Sequence, residues 1–341
     1  APPAESYFEC RLESAHDLAA LLGTLVLREK EQKDQRVLCE ASGHGLKFAA
    51  QSGAKDTMVF AWMFRGFFKE YRYEGTREEI HLKLPVAEVM SCLQVFSERA
   101  AMVLRYPAGQ SASDQLRFRL EEDGAVTECQ IHTMVLNEST LVPPAFFSTG
   151  ERHTMFRTLH AEIWHAALNE FSELDAPETH LSITLHTSPG NAADGGPRVA
   201  SVVLRVQTLM NDAEVELPET CLDESTVSAE VAAAGAVTYR YLLSSVLASC
   251  LRAAKDAKGV KVRFNNDGAM SNMFIHRGRT GQQDLFVEAL CSPLAEVPGI
   301  GAGSTVTGAA LSSRRAIVSP TQPFRPEQHQ PRPMAVDAVG L

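Results

Sequence analysis

Apolar residues recur at helical spacing in four stretches of the chain. In the first, the leucines between Leu18 and Leu25 fall on one face of a 3.6-residue helix. Each half of the chain carries two such stripes, and Pro85 stands at the start of the second one, where a helix tolerates proline. The spacing therefore predicts four amphipathic helices, at about 14–27, 86–97, 158–171 and 239–254.

Two further stretches alternate apolar and basic residues and then reach an Asp-Gly pair. Leu116–Leu120 is followed by Asp123-Gly124. In the same way, Val260–Phe264 is followed by Asp267-Gly268. Alternation is typical of a strand with one buried face, and Asp-Gly supplies the positive φ angles of a tight turn. The sequence therefore predicts a β-hairpin at each place.

The two hairpins match at one distance along the chain. From position 123 to position 267 the offset is 144 residues, and the same offset carries Ile131-His132 onto Ile275-His276. It also carries the first predicted helix onto the third. We therefore predict that the chain contains two copies of one unit. The alternative is that any two β-hairpins resemble each other.

The strand candidates and the linkers divide the chain into domains. Apolar runs between the helices predict strands at Val37–Cys39, Leu46–Ala50, Met58–Phe64, Leu181–Leu185, Val199–Val206 and Ala213–Leu217. The predicted fold class is α+β, with two helices packed on antiparallel sheet in each copy. Asn137–Thr140 and Pro143-Pro144 are typical of a linker. The predicted parts are a domain at 1–136, a connector at 137–147, a domain at 148–297 and a flexible Pro/Gly-rich tail at 298–341.

Composition agrees with a folded protein of two domains. The chain has 341 residues, of which 45% are apolar and 22% charged, and this length favours two domains over one. The seven cysteines are scattered and form no C-x-x-C pair, so we expect free thiols in a reducing, intracellular compartment. The sequence has no apolar run long enough to span a membrane, and we identify no secretory signal at its start.

Candidate catalytic and metal-binding residues are few. The sequence contains no G-x-S-x-G, H-E-x-x-H or Walker motif. His153, His160 and His165 are spaced by seven and five residues, which does not place two ligands one helical turn apart. Glu121–Asp123 falls at a predicted hairpin tip, where carboxylates are usually solvated. We therefore predict no metal, no cofactor and no enzymatic activity.

Two clusters bear on nucleic-acid binding. The aromatic and basic run at 62–73 suits either a platform on which bases stack or a buried strand and turn, and we favour the buried strand. The basic residues between Arg252 and Arg263 suit either a phosphate-binding patch or a helix C-terminus, where cations face the negative end of the helix dipole. The formal net charge of −10 disfavours nucleic-acid binding by bulk attraction.

Several short motifs are shared with a known family. They are Leu120–Thr133, Phe171–Asp175, Phe286–Glu288, Cys291–Pro293 and Glu296–Pro298, and Tyr239–Leu242 resembles the family's fourth helix. In these residues the chain resembles the DNA sliding clamps of the PCNA type, and more specifically the Rad-one subunits of the nine-one-one DNA-damage checkpoint clamp. The resemblance extends from about Tyr7 to Pro298 and implies a PCNA-like clamp fold of two pseudo-repeated domains.

The resemblance also implies a function. It implies a non-catalytic subunit of a heterotrimeric ring that encircles double-stranded DNA in the nucleus and scaffolds checkpoint signalling and DNA repair. The implied partners are two related clamp subunits, a clamp loader and repair or checkpoint clients. No association with a membrane is implied. Two alternatives stay open: a subunit of a homotrimeric replicative clamp, and a 3′→5′ DNA exonuclease that uses Glu121 and Glu122.

Three sets of site residues follow from the resemblance. Residues expected to face DNA are Arg28, Lys30, Lys33, Arg252, Lys255 and Lys258. Edge strands expected to join neighbouring subunits carry Val126, Glu128, Gln130, His132, Ala213, Val215 and Leu217. A client-peptide groove under the linker is expected to contain His44, Leu46, Leu136, Val142, Ala269, Leu290 and Pro293.

The expected DNA-facing surface departs from the replicative clamp. Positions that match its basic inner-helix residues are occupied here by Ala19, Ala20, Ser91, Gln94, Asn169, Glu173 and Leu247. Because none of these side chains is cationic, we expect this subunit to contact DNA phosphates little.

Overall fold

A computed structural model of the chain describes residues 6–27, 35–75, 78–95, 100–109, 114–137, 141, 153–174, 178–189, 196–276, 285–294 and, as backbone, 313–317. The helices of the first half are α1 (Ala15–Thr24) and α2 (Val86–Leu93). Its strands are β1 (Tyr7–Leu12), β2 (Arg36–Ser42), β3 (Gly45–Gln51), β4 (Thr57–Phe64), β5 (Glu70–Glu74), β6 (Glu79–Pro85), β7 (Ala101–Tyr106), β8 (Gln115–Glu122), β9 (Ala125–His132) and β10 (Met134–Leu136).

The second half has a similar inventory. Its helices are α3 (Ala161–Asn169), α4 (Ala229–Ala234) and α5 (Leu243–Lys255). Its strands are β11 (Thr154–Thr158), β12 (His180–Ser188), β13 (Arg198–Gln207), β14 (Asp212–Pro218), β15 (Leu222–Thr226), β16 (Ala236–Leu242), β17 (Gly259–Phe264), β18 (Met270–His276), β19 (Leu285–Cys291) and β20 (Ser313–Ile317). The six predicted strands and the four predicted helices are confirmed, except that Tyr239–Leu242, predicted to begin the fourth helix, forms the end of β16.

The described strands form three sheets. The first has the order β5-β1-β7-β8-β9, and the largest has the order β10-β6-β2-β3-β4-β19-β18-β17-β11-β15. The third has the order β16-β12-β13-β14-β20. Neighbouring strands are antiparallel except for β14 and β20, which are parallel. The predicted α+β class with antiparallel sheets is confirmed.

The strand order shows that the chain is duplicated. The orders β5-β1-β7-β8-β9 and β6-β2-β3-β4 of the first half recur as β15-β11-β17-β18-β19 and β16-β12-β13-β14 in the second. The two copies are joined because β4 pairs with β19, from Thr57↔Cys291 to Met63↔Leu285. In this equivalence β14 corresponds to β4, and β9 corresponds to β19.

The predicted equivalence of the two Asp-Gly hairpins is wrong. The hairpin β17–β18 takes the place of β7–β8 in the repeated order, whereas Asp123-Gly124 joins β8 to β9. An Asp-Gly pair marks a tight turn but not the position of that turn in a fold. A constant offset also fails because loop lengths differ: residues 43–44 join β2 to β3, whereas residues 189–197 join β12 to β13.

Four of the helices pack as one layer against the sheets. α1 contacts α2, α3 contacts α5, and α1 also contacts α5 across the two copies. Their apolar faces and the inward side chains of the sheets form one core cluster, which includes Leu22, Trp164 and Val246. Burial of such apolar surface is the main stabilising contribution of the fold. α4 is not predicted from the sequence, because its six residues are too few to establish a helical period.

The predicted connector and tail are described only in part. The connector follows β10, which pairs with β6, and of its residues only 137 and 141 are described. In the predicted tail, the structure describes a strand, β20, at Ser313–Ile317. This segment has no strand-like alternation in its sequence, so pairing with β14 rather than its own pattern accounts for the strand. All seven cysteines are free, as expected. Among the described helices, none is long and apolar enough to cross a membrane.

Candidate functional site

β9 presents an unpaired backbone edge. Among the described residues it pairs only with β8, from Gln115↔His132 to Glu122↔Ala125. The two-residue turn between them has φ angles of 49° at Asp123 and 81° at Gly124, which fixes the hairpin register. An unpaired edge of eight residues offers its N–H and C=O groups to another strand.

The side chains of β9 alternate between solvent and the core. The four predicted interface residues of this strand are exposed: Val126, Glu128, Gln130 and His132. Val126 is apolar and yet 48% exposed, whereas Ile131 is buried in the core. His132 makes its side-chain contacts back to the neighbouring strand and loop, with Gln115 Nε2 at 3.1 Å and Asp114 Oδ2 at 3.2 Å. The outward side of the strand therefore stays accessible.

β14 is the second predicted interface strand. Val215 and Leu217 are buried in the core and anchor the strand, while Ala213 is half-buried. At its start, Arg205 of β13 makes a two-pronged ion pair with Asp212, with Nε 2.8 Å from Oδ1. This hydrogen-bonded pair lowers the pKa of Asp212. On one side β14 pairs with β13, and on the other with β20.

The turn that leads into β14 exposes two large apolar side chains. Leu209 is 96% exposed and Met210 is 81% exposed. The turn is closed by Thr208, whose N–H donates to Asn211 O at 2.8 Å and whose Oγ1 accepts from Asn211 N–H at 2.9 Å. Exposed apolar side chains on a fixed turn are typical of a contact surface. Sequence reasoning missed this pair, although two adjacent large apolar residues in a turn are themselves a signal.

The helical layer carries little positive charge on its solvent side. Within α1, α2, α3 and α5, the exposed charged residues are Glu88, Glu162, Arg252 and Lys255. Arg252 and Lys255 lie in the last turn of α5, where the helix dipole favours cations, and Arg252 also donates to Gly23 O at 3.3 Å. Lys258 is exposed just beyond the helix. The other predicted DNA-facing residues, Arg28, Lys30 and Lys33, lie outside the described residues.

The opposite face of the large sheet carries an aromatic ridge. Trp62 and Phe64 point outward from β4, and Phe286 of β19 packs against both, while Phe60 lies on the same face and is buried beside Trp62. The Trp62 and Phe286 ring centroids are 4.8 Å apart, and those of Phe64 and Phe286 are 5.3 Å apart. The aromatic run 62–73 is therefore divided between the outer face of the sheet and the core. Of its other apolar residues, Met63, Phe68 and Tyr71 are buried in the core, and Phe67 and Tyr73 are half-buried against it.

A cavity of about 150 Å³ adjoins the end of this ridge. His44, Trp62 and Phe64 contribute to its lining, together with the buried carboxylate of Glu40. The Lys47 ammonium lies 2.6 Å from Glu40 Oε2 and 5.4 Å from the Phe60 ring centroid. The charge of Glu40 is thus balanced inside the protein, and Trp62 and Phe64 give the cavity an aromatic wall beside this ion pair.

The predicted groove residues do not form one pocket. Leu136 and Leu290 meet in an outer cluster with Leu38, Ala49 and Phe60, and Leu141 of the connector packs on it. In contrast, Leu46 points into the main core because residues on β3 alternate between the two faces of the sheet. His44 lies in the turn before β3 and lines the cavity beside the ridge together with Leu46. Ala269 is buried near Asn265, Pro293 follows β19, and Val142 lies outside the described residues.

The described residues offer no cluster for metal-dependent chemistry. Nowhere in the described ranges do three His, Cys, Asp or Glu side chains come close enough to hold a metal ion. Glu121 and Asp123 are exposed at the β8–β9 hairpin tip. Divalent-metal hydrolysis needs several carboxylates that converge in a shaped cavity.

Comparison with known proteins agrees with this architecture. The chain matches the family model described as "Repair protein Rad1/Rec1/Rad17" over residues 7–276. The structure is similar to the PCNA2–PCNA3 complex from Sulfolobus tokodaii, with a TM-score of 0.62 and 14% identity over 84% of this chain and 100% of that chain. It is also similar to the proliferating cellular nuclear antigen of Entamoeba histolytica, with a TM-score of 0.61 and 13% identity over 84% and 99% of the two chains. A search of curated proteins finds no match. The fold is therefore PCNA-like, as expected.

Proposed function

Because the chain belongs to the Rad1/Rec1/Rad17 family of repair proteins, we propose that it is a non-catalytic subunit of a heterotrimeric DNA clamp. The ring would contain two related clamp subunits, encircle double-stranded DNA in the nucleus, and scaffold checkpoint signalling and repair. A clamp loader would open it, and repair or checkpoint clients would dock on it. The complex of two different PCNA proteins from Sulfolobus tokodaii supports a ring of unlike subunits.

One observation carries the proposal: the strands of the interdomain pair, β4 and β19, have counterparts that do not pair with each other, although one of them, β14, is covered by β20. The counterparts of these strands are β14 and β9, which lie at the limits of the two repeats. If the contact that joins the copies within one chain is repeated between chains, β9 of one subunit pairs with the equivalent of β14 in the next. Repetition of one head-to-tail contact closes a ring when the rotation between successive subunits adds up to a full turn.

The charge distribution supports DNA retention by enclosure. The exposed charges of α1, α2, α3 and α5 are two acidic and two basic residues, so this surface offers little net attraction to phosphates. A closed ring does not need strong attraction, because DNA leaves only when the ring opens. Arg252, Lys255 and Lys258 are the described residues that we propose to contact phosphates.

Client docking is proposed for the outer face of the large sheet. The outer cluster around Leu136 and Leu290 and the aromatic ridge at Phe60–Phe64 provide adjoining apolar surface. An extended segment with apolar or aromatic side chains suits such a surface.

A substitution on β9 tests the ring proposal. Val126→Asp places a charge where a neighbouring subunit would bury the strand, and burial of an unpaired charge is unfavourable. We expect the affinity for the neighbouring clamp subunit to fall at least about tenfold, as measured by sedimentation of the co-expressed subunits. Met134→Asp is the matched control, because Met134 is 49% exposed and lies on β10, in a different sheet from β9 and β14. Equal assembly of both variants with wild-type affinity would refute the proposal.

A further inference from the structure

The predicted tail contributes a strand to the edge that ring closure would use. Ser313–Ile317 lies alongside β14 in parallel, with Cα partners from Asp212↔Ser313 to Glu216↔Ile317. Without β20, β14 would pair only with β13 and would end its sheet. The five-residue segment therefore takes up backbone groups of β14 that would otherwise face solvent.

A strand has two hydrogen-bonding sides, and β13 already occupies one side of β14. A neighbouring subunit and β20 cannot both pair with the other side. We propose that Ser313–Ile317 is an intramolecular cap on β14, which a neighbouring subunit must displace to close the ring. The displacement rests on the proposed clamp function, whereas the docking of the cap does not.

The amino-acid composition of β14 and β20 favours Ser313–Ile317 as the segment that pairs with β14. β14 contains three carboxylates, at Asp212, Glu214 and Glu216, and the docked segment contains Arg314 and Arg315. The two strands are therefore of opposite charge by composition, which favours their pairing, whereas strands of like charge repel each other. A second copy of the acidic β14 strand is correspondingly a poor partner for the same edge.

The covalent connection is long enough for this contact. Leu294 N–H donates to Arg240 O of β16 at 2.8 Å, and β20 lies four strands further along the same sheet. At 4.7–4.9 Å per strand this distance is about 19 Å. Residues 295–312 are 18 residues, which extend to about 60 Å at most. The segment therefore reaches β14 within one chain.

The cap combines a weak contact with a high local concentration. Five parallel residue pairs form a short ladder, and parallel pairing is slightly less stable per residue than antiparallel pairing. Tethering raises the effective concentration of the segment to the order of millimolar. Such a cap covers the edge in the isolated chain and yields to a subunit that brings a larger complementary surface. It would prevent pairing with wrong partners until the correct neighbour arrives.

Hydrogen exchange on the full-length chain tests the docking of the cap. Consecutive residues of a strand direct their N–H groups to opposite sides, so Arg315→Pro with Ala316→Pro removes one donor that faces β14 and breaks the strand. We expect amides of Asp212–Leu217 that face β20 to exchange about tenfold or more faster in this variant. The control, Gln328→Pro with His329→Pro, adds the same two prolines further along the tail and should leave these amides unchanged. Equal exchange in all three proteins would overturn the capping proposal.

Assembly with the two related clamp subunits tests the displacement. If β20 competes with the neighbour, the Arg315→Pro/Ala316→Pro variant should join the ring several-fold faster than wild type and the control. Faster exchange without faster assembly would overturn the competition. If wild type and both variants all fail to assemble, the proposed clamp function is refuted, and the exchange result still decides whether the cap docks.

Discussion

Two buried asparagines of the second repeat, Asn265 and Asn272, differ in whether their side-chain amides are hydrogen-bonded. Asn265 is buried, and its Oδ1 accepts a hydrogen bond from Ala269 N–H at 2.7 Å. Asn272 on β18 is fully buried between Val262 and Ala289 of the adjacent strands, and within the described residues neither of its amide atoms has a partner. A buried amide without partners costs about 1–3 kcal/mol. The two positions should therefore respond oppositely to an apolar replacement.

We expect Asn272→Leu to raise the free energy of unfolding by about 1 kcal/mol, because it removes the unsatisfied amide at similar volume. Asn265→Leu should lower it by about 1–2 kcal/mol, because the Ala269 N–H loses its acceptor. Denaturant unfolding of both variants measures the difference. Destabilisation of similar size in both would show that Asn272 is also hydrogen-bonded in solution.

His276 at the end of β18 couples stability to pH. Burial lowers the pKa of His276, and the nearby Asp256 only partly offsets this effect. Between the lowered folded pKa and the ordinary value near 6.5, the unfolded chain binds more protons than the folded one. The contribution of the neutral His276 imidazole to the free energy of unfolding is therefore fully present above about pH 6.5 and is lost as the pH falls below that value.

Thermal unfolding at pH 7.5 and pH 5.5 tests this linkage. His276→Gln removes the titrating group, so the loss of melting temperature between the two pH values should be smaller than in wild type. His160→Gln replaces an exposed histidine and should leave that loss unchanged. An identical pH response of His276→Gln and wild type would contradict the buried-imidazole explanation.

At the scale of elements, the sequence predicts where helices and strands form better than it predicts which strands pair with each other. The leucine stripe of α1 and the alternation of β8 depend on local periodicity, and both elements form where expected. The position of the Asp267-Gly268 hairpin in the fold depends on distant pairing, and its predicted equivalence is wrong. β20 has no local pattern at all and is a strand only because β14 offers an edge.

The candidate sites follow the same division. The edge residues expected from the family resemblance lie on β9 and β14, at the limits of the repeats, and their role in subunit contact stays a prediction. Of the predicted groove residues, Leu136 and Leu290 meet on the outer face of the sheet, whereas Leu46 faces the core, because residues on β3 alternate between the two faces. The ridge from Phe60 to Phe64 has a period of two in the sequence and is predictable in hindsight, but its partner Phe286 is distant in the chain.

The Thr208–Asn211 turn provides a prediction at this scale. If β14 joins a neighbouring subunit, the adjacent Leu209 and Met210 should be buried in the same contact. Burial of a large apolar side chain contributes about 1.5–3 kcal/mol. We expect Leu209→Ser with Met210→Ser to weaken subunit association at least about tenfold, measured by titration calorimetry or sedimentation.

The matched control for the turn is another adjacent pair of exposed apolar residues. Met134 and Val135 on β10 are 49% and 44% exposed and lie on a different sheet from β14. Met134→Ser with Val135→Ser should leave subunit association unchanged. If both double variants weaken association equally, the effect is not specific to the β14 edge.

At the scale of the whole molecule, duplication explains why the strands of the internal joint have counterparts at the limits of the repeats, of which β14 is covered by β20. One joint, β4 with β19, is made within the chain, and its counterparts β14 and β9 remain at opposite limits of the repeats. The net charge of −10 and the thin basic surface on the helical layer agree with a protein that retains DNA by enclosure. The sequence predicts that the chain is duplicated and gives its net charge. Only the order of strands in the sheets shows that β14 corresponds to β4 and β9 to β19.

The most direct test is the native mass of the complex that the full-length chain forms with two related clamp subunits. We expect one copy of each subunit in a closed heterotrimer, with the isolated chain failing to form a stable ring by itself. A stable homotrimer of this chain, or a monomer that joins neither subunit, would contradict the proposed function.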